Sequence, residues 1–186
     1  MKKLYSELLG QSIFCREAPG MVGRVFDLIL DPSDGSLVAI SVHFARKKII
    51  GSRDILSWYP RIVIRDTECI VESDEIVRIQ RILDQDIRII GNAVVTESGN
   101  ELGTVYDFLF DIDKTIMLHI MVAHSFLGIF RFGNRIIPAK RIVRIESDQI
   151  VVSDDARVRE PLRKTEMGSL LSSSGYSAEN GLYDGV

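Results

Sequence analysis

A nine-residue pattern occurs twice in this chain, and no other feature constrains its fold as strongly. Gly23-Arg24-Val25-Phe26-Asp27-Leu28-Ile29-Leu30-Asp31 and Gly103-Thr104-Val105-Tyr106-Asp107-Phe108-Leu109-Phe110-Asp111 share the order Gly-x-Val-aromatic-Asp, three apolar residues and a second Asp, 80 residues apart. Self-similarity at a long period marks a duplicated structural unit. At the same offset Arg61-Ile62-Val63 aligns with Arg141-Ile142-Val143, and Ile70-Val71 with Ser73-Asp74 aligns with Ile150-Val151 with Ser153-Asp154. This register runs without a gap. Upstream, Leu9-Gly10-Gln11-Ser12-Ile13 aligns with Ile90-Gly91-Asn92-Ala93-Val94 at an offset of 81. The one-residue difference falls in Glu17-Ala18-Pro19-Gly20 against Glu97-Ser98-Gly99-Asn100, and surface turns tolerate such changes.

Between the anchors the apolar period is mostly two, so Val25, Asp27 and Ile29 are predicted on one face of an extended segment and Phe26, Leu28 and Leu30 on the other. Asp31-Pro32-Ser33-Asp34-Gly35 predicts a hairpin turn into a strand from Leu37 to Phe44; Asp111 to Thr115 predicts its counterpart, leading into Met117 to Val122. Each copy ends in two short β-branched runs. Arg61–Ile64 with Cys69–Val71, and Ile142–Ile145 with Ile150–Val152, are predicted hairpins, with Asp66-Thr67-Glu68 and Glu146-Ser147-Asp148-Gln149 as their loops. Frequent turns in a unit of this size predict an all-β fold of two small closed or partly closed β-barrels, since closure removes exposed edges. The expected boundaries are 5–75 for the first unit, 76–86 for a short helical linker beginning after Ser73-Asp74-Glu75, 87–158 for the second unit, and 162–186 for a flexible tail. In that tail Leu170, Leu171, Tyr176, Leu182 and Tyr183 are the candidate contact points.

With 46% hydrophobic and 26% charged residues, the chain has a globular composition. Its net charge of −3 gives no general attraction for phosphate backbones, so nucleic acid is disfavoured as a partner. No signal-like apolar segment follows Met1-Lys2-Lys3, and no run approaches the ~20 residues of a bilayer span, so a soluble, cytoplasmic protein is expected. Cys15 and Cys69 suggest neither a disulfide framework nor a thiolate metal site; buried or half-buried free thiols are expected.

Each copy resembles the PRC-barrel domain, a family named for the photosynthetic reaction centre H subunit and found also at the end of a ribosome-maturation factor. The resemblance is carried by Leu9-Gly10-x-x-Ile13 and Ile90-Gly91-x-x-Val94, by the Gly-x-Val-x-Asp strand with Asp at the turn after it, and by Ile136-Ile137-Pro138 leading to Ile142. The second copy matches better; in the ungapped register Trp58 stands opposite Pro138, with Pro60 two residues later. A linked pair of this kind is similar to archaeal and bacterial family members. The resemblance implies binding and assembly, with cell-division or membrane-associated machinery as one setting and RNA-linked ribosome maturation as the alternative.

Catalysis needs convergent groups. His43, His119 and His124 share no metal-ligand spacing, and no position holds His in both copies. Asp27, Asp31, Asp107 and Asp111 recur, but an Asp in or after a strand accepts backbone N–H groups and closes turns, so they are read with Gly23 and Gly103 as structural. Arg46-Lys47-Lys48, and the scatter Arg131, Arg135, Lys140, Arg141 and Arg144, are read as solvated faces. No cofactor, metal or catalytic residue is expected. The copies diverge between Ala45 and Arg53 against Ser125 and Gly133, where the second carries Phe126, Leu127, Ile129, Phe130 and Phe132; these are the candidate contacts for a protein partner or a second copy of the chain, or else they pack against the neighbouring unit. The expected function is a non-catalytic adaptor that helps assemble a larger complex.

Overall fold

A computed structural model describes residues 1–43, 45–126 and 130–155, with the side chains of residues 125, 126 and 130–132 outside that description. The chain begins with β1 (Lys2–Leu4) and a single helical turn α1 (Tyr5–Leu8). The first copy then supplies β2 (Ser12–Cys15), β3 (Met21–Arg24), β4 (Asp27–Leu30), β5 (Leu37–Ser41), β6 (Lys48–Gly51), β7 (Ile55–Ser57), β8 (Ile62–Ile64) and β9 (Ile70–Glu72), followed by α2 (Val77–Leu83). The second supplies β10 (Ala93–Thr96), β11 (Glu101–Asp111), β12 (Ile116–Phe126), β13 (Phe130–Pro138), β14 (Ile142–Ile145) and β15 (Gln149–Val152). The class is β-rich. Among the described residues three open sheets form, β3-β2-β8-β7, β4-β5-β6-β9 and β13-β12-β11-β10-β15-β14.

The same pairings recur in both copies. β2 pairs parallel with β8 and antiparallel with β3, as β10 does with β15 and β11. Asp27 lies opposite Ser41 and Asp107 opposite Met121, which preserves the offset of 80 through β5 and β12. Past that hairpin the sequence register fails. Ile40 faces Ile50 in the first copy and Ile120 faces Ile137 in the second, so the true counterpart of Ile50 lies 87 residues on. Ile13 faces Ile62 whereas Val94 faces Ile150, which raises the offset to 88. The hairpin from β12 to β13 is the longer one, and the seven extra residues sit there.

Two expectations are corrected by these pairings. Gly51, not Trp58, is the counterpart of Pro138, since they face Ala39 and His119 respectively. The runs Ile62–Ile64 and Ile70–Glu72 are not a hairpin: β8 pairs with β2 and β7, while β9 pairs with β6. Asp66 therefore caps a 3-10 turn, Thr67–Cys69, by accepting the Cys69 N–H at 3.0 Å. The predicted hairpin of Ile142–Ile145 with Gln149–Val152 does form. Strict alternation from Val25 to Leu30 is also interrupted. Phe26 is about half exposed between β3 and β4, and β11 shifts register between Val105 and Asp107, so the aromatic of each motif is the residue at an irregularity. The predicted strand end at Phe44 lies outside the described residues, as does the tail with its candidate contacts at Leu170, Leu171, Tyr176, Leu182 and Tyr183.

The copies share one core. Ile13, Leu28, Leu30, Ile40 and Ile62 from the first pack in one cluster with Val94, Phe108, Phe110, Ile120 and Ile150 from the second. β1, at the start of the chain, joins the second copy's sheet beside β11, with Leu4 opposite Leu109. Ser36 bridges to Ile116, the Leu37 N–H donates to the Thr115 carbonyl at 2.8 Å, and the Met117 N–H donates to the Gly35 carbonyl at 3.0 Å. The helix α2 does not stand between two bodies. Its Ile79 packs on Ile29, Ala39 and Ile49, the outer face of β4, β5 and β6, with Ile76, Ile82 and Leu83 beside it.

The two motif glycines differ in what they tolerate. Gly103 has φ +120°, and a Cβ there would lie 2.6 Å from the Ala123 carbonyl oxygen; at Gly23 the nearest atom would be the Val42 Cβ at 3.6 Å. Only the second position needs glycine for both backbone conformation and clearance. Gly103→Ala is expected to destabilise the protein by about 3 kcal/mol or more, and Gly23→Ala by less than about 1 kcal/mol. Urea melts of the two variants check this; equal losses contradict it.

Candidate binding surface

The repeated carboxylates are engaged by fixed donors. Asp27 accepts the Tyr5 hydroxyl and the Leu28 N–H on Oδ1, both at 2.8 Å, and Arg46 Nε on Oδ2 at 2.7 Å. Asp107, buried at 7% exposure, accepts the Ser6 hydroxyl on Oδ2 at 2.6 Å and the Ser6 and Phe108 N–H groups on Oδ1 at 3.2 and 2.8 Å. Neighbouring residues of α1 thus reach the matching aspartates of the two copies. Asp31 accepts the Ser33 hydroxyl and N–H at 2.6 and 3.0 Å, and Arg78 Nη2 at 3.0 Å. The Ser33 hydroxyl bond, aided by the Ser33 N–H and by Arg78, holds the Asp31 carboxyl below its ordinary range against the opposing effect of burial. Asp111 accepts the N–H groups of Asp113 and Lys114 at 3.1 and 3.4 Å. These are turn-closing and strand-fixing bonds.

Tyr5 is the most perturbed titratable group here. Burial and then the adjacent Asp27 charge raise its hydroxyl well above the usual phenol range, so it is a permanent donor at ordinary pH. Its ring stacks on Phe108 of the second copy, with centroids 4.7 Å apart. No three His, Cys, Asp or Glu side chains are grouped to hold a metal among the described residues. Cys15 is buried and Cys69 half-buried, both as free thiols; burial raises the Cys69 thiol.

A different part of the surface has the chemistry of recognition. Beside the outer face of β3-β2-β8-β7 lies a cleft of about 610 Å³ with Phe14, Trp58, Tyr59 and Pro60 in its walls, flanked by Lys3 and Arg61. Its lining holds two cations and no carboxylate. The Arg61 guanidinium carbon lies 5.0 Å from the centroid of the Phe14 ring, a cation–π contact that fixes both side chains. Trp58 rests against Phe110 with centroids 6.4 Å apart, which ties the cleft wall to the core. Tyr59 is 68% exposed. Phe14 faces Met21 across β3 and Val63 across β8, and Met21 is 51% exposed, so an apolar row continues from the cleft over the sheet. Exposed aromatics held in place beside arginine are the composition of protein-binding hot spots.

The surface expected from sequence lies elsewhere. Phe126 ends β12 opposite Phe130 of β13, and Phe132 faces His124, but these three side chains, together with Leu127 and Ile129, lie outside the described residues. The cleft residues were not singled out by the sequence because they come from three separated segments. In the sequence Trp58 and Pro60 stand out only as an imperfect match to Pro138. Arg46, read as part of a solvated basic cluster, is instead the cation on Asp27.

The family model of the PRC-barrel domain matches residues 86–159, which contain β10 to β15. No curated protein matches the chain. No helix among the described residues is long and apolar enough to cross a membrane.

Because the folded pKa of Tyr5 lies above its unfolded value of 10.0, its contribution to stability is complete below pH 10 and is lost as the pH rises beyond it. Tyr5→Phe is expected to lower stability at neutral pH by about 1–2 kcal/mol and to flatten the loss that the wild type shows above about pH 10. Urea melts at stepped pH give both quantities. An unchanged alkaline limb would show that Tyr5 is not the group responsible.

Proposed function

We propose that this chain is a non-catalytic adaptor: two PRC-barrel-like units that share one core and present the Phe14–Trp58–Tyr59–Arg61 cleft to a protein partner. One observation carries this reading, namely an aromatic-walled cleft with two cations and no carboxylate in its lining. Its complement is an extended segment with an apolar or aromatic anchor next to an aspartate or glutamate. The PRC-barrel match at 86–159 supports the same class of role, since domains of that family often serve as protein-interaction modules. The repeated acids support it indirectly, because their oxygens are occupied by Tyr5, Ser6, Arg46 and backbone donors.

Cell-division or membrane-associated machinery is one setting for such an adaptor. An RNA-linked role is the weaker alternative. Aromatics and cations also hold nucleotides, but Arg61 already covers the Phe14 ring and the whole chain carries a net −3.

The test is affinity purification from the native host with the wild type, Tyr59→Ala and Arg61→Glu, with protein and RNA both analysed. A protein recovered by the wild type and bound about 30-fold more weakly by each variant, an effect of about 2 kcal/mol, supports the adaptor reading. Both sites are exposed, so thermal melts of the variants should match the wild type. Equal recovery of the partner by all three proteins would refute the cleft as its site. Recovery of RNA that salt releases steeply would favour the alternative.

A further inference from the structure

The outer face of β3-β2-β8-β7 carries a charge pattern that its duplicate lacks. Alternation buries Ile13, Cys15, Ile62 and Ile64 in the core. Ser12, Phe14 and Val63 are left on the outer face, and Arg16, Arg61 and Arg65 are exposed at the ends of β2 and β8. Across β3, Ser12 lies opposite Arg24 and Phe14 opposite Met21. On the other side Phe14 lies beside Val63, and the Arg16 N–H donates to the Ile64 carbonyl at 3.0 Å. Three rows therefore cross the sheet: Arg24 and Arg61 about Ser12 at one end, Met21, Phe14 and Val63 in the middle, and Arg16 with Arg65 at the other end. Each arginine row is two residues along the strands from the apolar row.

The second copy repeats the inner residues of this sheet and not the outer ones. Val94, Ile150 and Val152 stand at the positions of Ile13, Ile62 and Ile64 and are buried like them. Glu97, Thr104, Gln149 and Ser153 stand where the first copy has Arg16, Arg24, Arg61 and Arg65, and Glu101 stands at the position of Met21. Core packing explains the shared residues, but it does not call for arginine at four exposed positions. Asp54 lies 3.5 Å from Arg65, Arg24 Nη1 donates to the Gly10 carbonyl at 3.3 Å, and Arg61 covers Phe14. No salt bridge engages Arg16, Arg24 or Arg61 among the described residues. A chain of net charge −3 thus gathers positive charge on one face.

Spacing says what fits. A strand advances about 3.3 Å per residue, so the arginine rows are about 13 Å apart with the apolar row midway. An extended peptide laid along the strands presents alternate side chains to the sheet at that same spacing. We propose that this face binds an extended segment of a partner protein with the order acid-x-apolar-x-acid. Its two carboxylates meet the two arginine rows, where guanidinium groups can pair with them bidentately, and its apolar side chain lies on Met21, Phe14 and Val63. The proposal rests on the adaptor reading and deepens it, since Ser12, Phe14 and Arg61 also line the aromatic cleft and a segment anchored there continues over the sheet. A nucleic acid is the poorer occupant, because Met21 and Val63 offer a base no ring to stack on and Arg61 already covers that of Phe14.

Fluorescence anisotropy with the full chain and labelled peptides tests it. A peptide containing Glu-Ser-Phe-Ser-Glu should bind, and the permuted order Glu-Glu-Ser-Ser-Phe should bind about tenfold more weakly. Arg16→Glu and Arg24→Glu, one in each row and both outside the cleft lining, should each weaken the first peptide about tenfold while leaving the thermal melt unchanged. A peptide with Lys in place of one Glu should bind Arg16→Glu more tightly than it binds the wild type, a gain that a loss of folding cannot produce. Absence of binding, equal binding of both peptide orders, or equal binding of the first peptide by all three proteins overturns the proposal. So does tighter binding of a labelled oligothymidine than of the peptide, lost in the same variants, because the face would then serve nucleic acid. The cleft has its own readout: a native partner recovered equally by Arg16→Glu, Arg24→Glu and the wild type, but lost with Tyr59→Ala, leaves the adaptor reading standing and removes the extension over the sheet.

Discussion

The fold depends on the first eight residues, which precede the aligned repeat and bind both copies. β1 lies on β11, and the turn that follows places Tyr5 on Asp27 and Ser6 on Asp107. A duplicated carboxylate is a duplicated liability, since each buried acceptor needs donors that its own strand does not provide in full. One helical turn answers both, with adjacent side chains diverging to matching positions in the two copies. The Tyr5 ring also stacks on Phe108, so the polar contact and the apolar one share a side chain. Neither copy could keep this arrangement without the other.

That dependence explains why the shared core has no seam. Phe108 and Phe110 of the second copy sit in one cluster with Leu28 and Leu30 of the first, and each copy's first hairpin turn reaches toward the other: Gly35 bonds Met117, and Ile112 bonds Met1. The clefts follow from the same geometry. Where the turn containing Ile112 meets the first copy, Trp58 rests on Phe110 and an aromatic cleft remains; where the turn from Pro32 to Gly35 meets the second, a larger cleft opens. The clefts lie at these junctions because the two copies do not fill them alike.

Much of the architecture was legible because the motif couples several constraints in nine residues: a glycine, a β-branched residue, an acid held by fixed donors and a turn-closing acid. Both pairs Asp27 with Ser41 and Asp107 with Met121 keep the offset read from that motif. Past the next hairpin legibility failed for an identifiable reason. Ile-Val triplets are interchangeable in buried strands, so Arg61-Ile62-Val63 and Arg141-Ile142-Val143 aligned without a gap although β8 is the counterpart of β15. Apolar identity says that a strand is buried, not which strand it is, and pairing partners alone reveal a seven-residue insertion. The cleft was illegible in another way: Lys3, Phe14 and Arg61 are far apart in sequence, and the Ser6 donors to Asp107 come from 101 residues away. A contact of that range leaves no local spacing to read.

The N-terminal segment should make the repeat fold as one cooperative body. Differential scanning calorimetry of the full chain, with Ser6→Ala beside the wild type, tests it most directly. A single transition is expected whose calorimetric and van't Hoff enthalpies agree, shifted down as a whole in the variant. Two resolvable transitions in the wild type, or a variant that lowers only one of them, would contradict it.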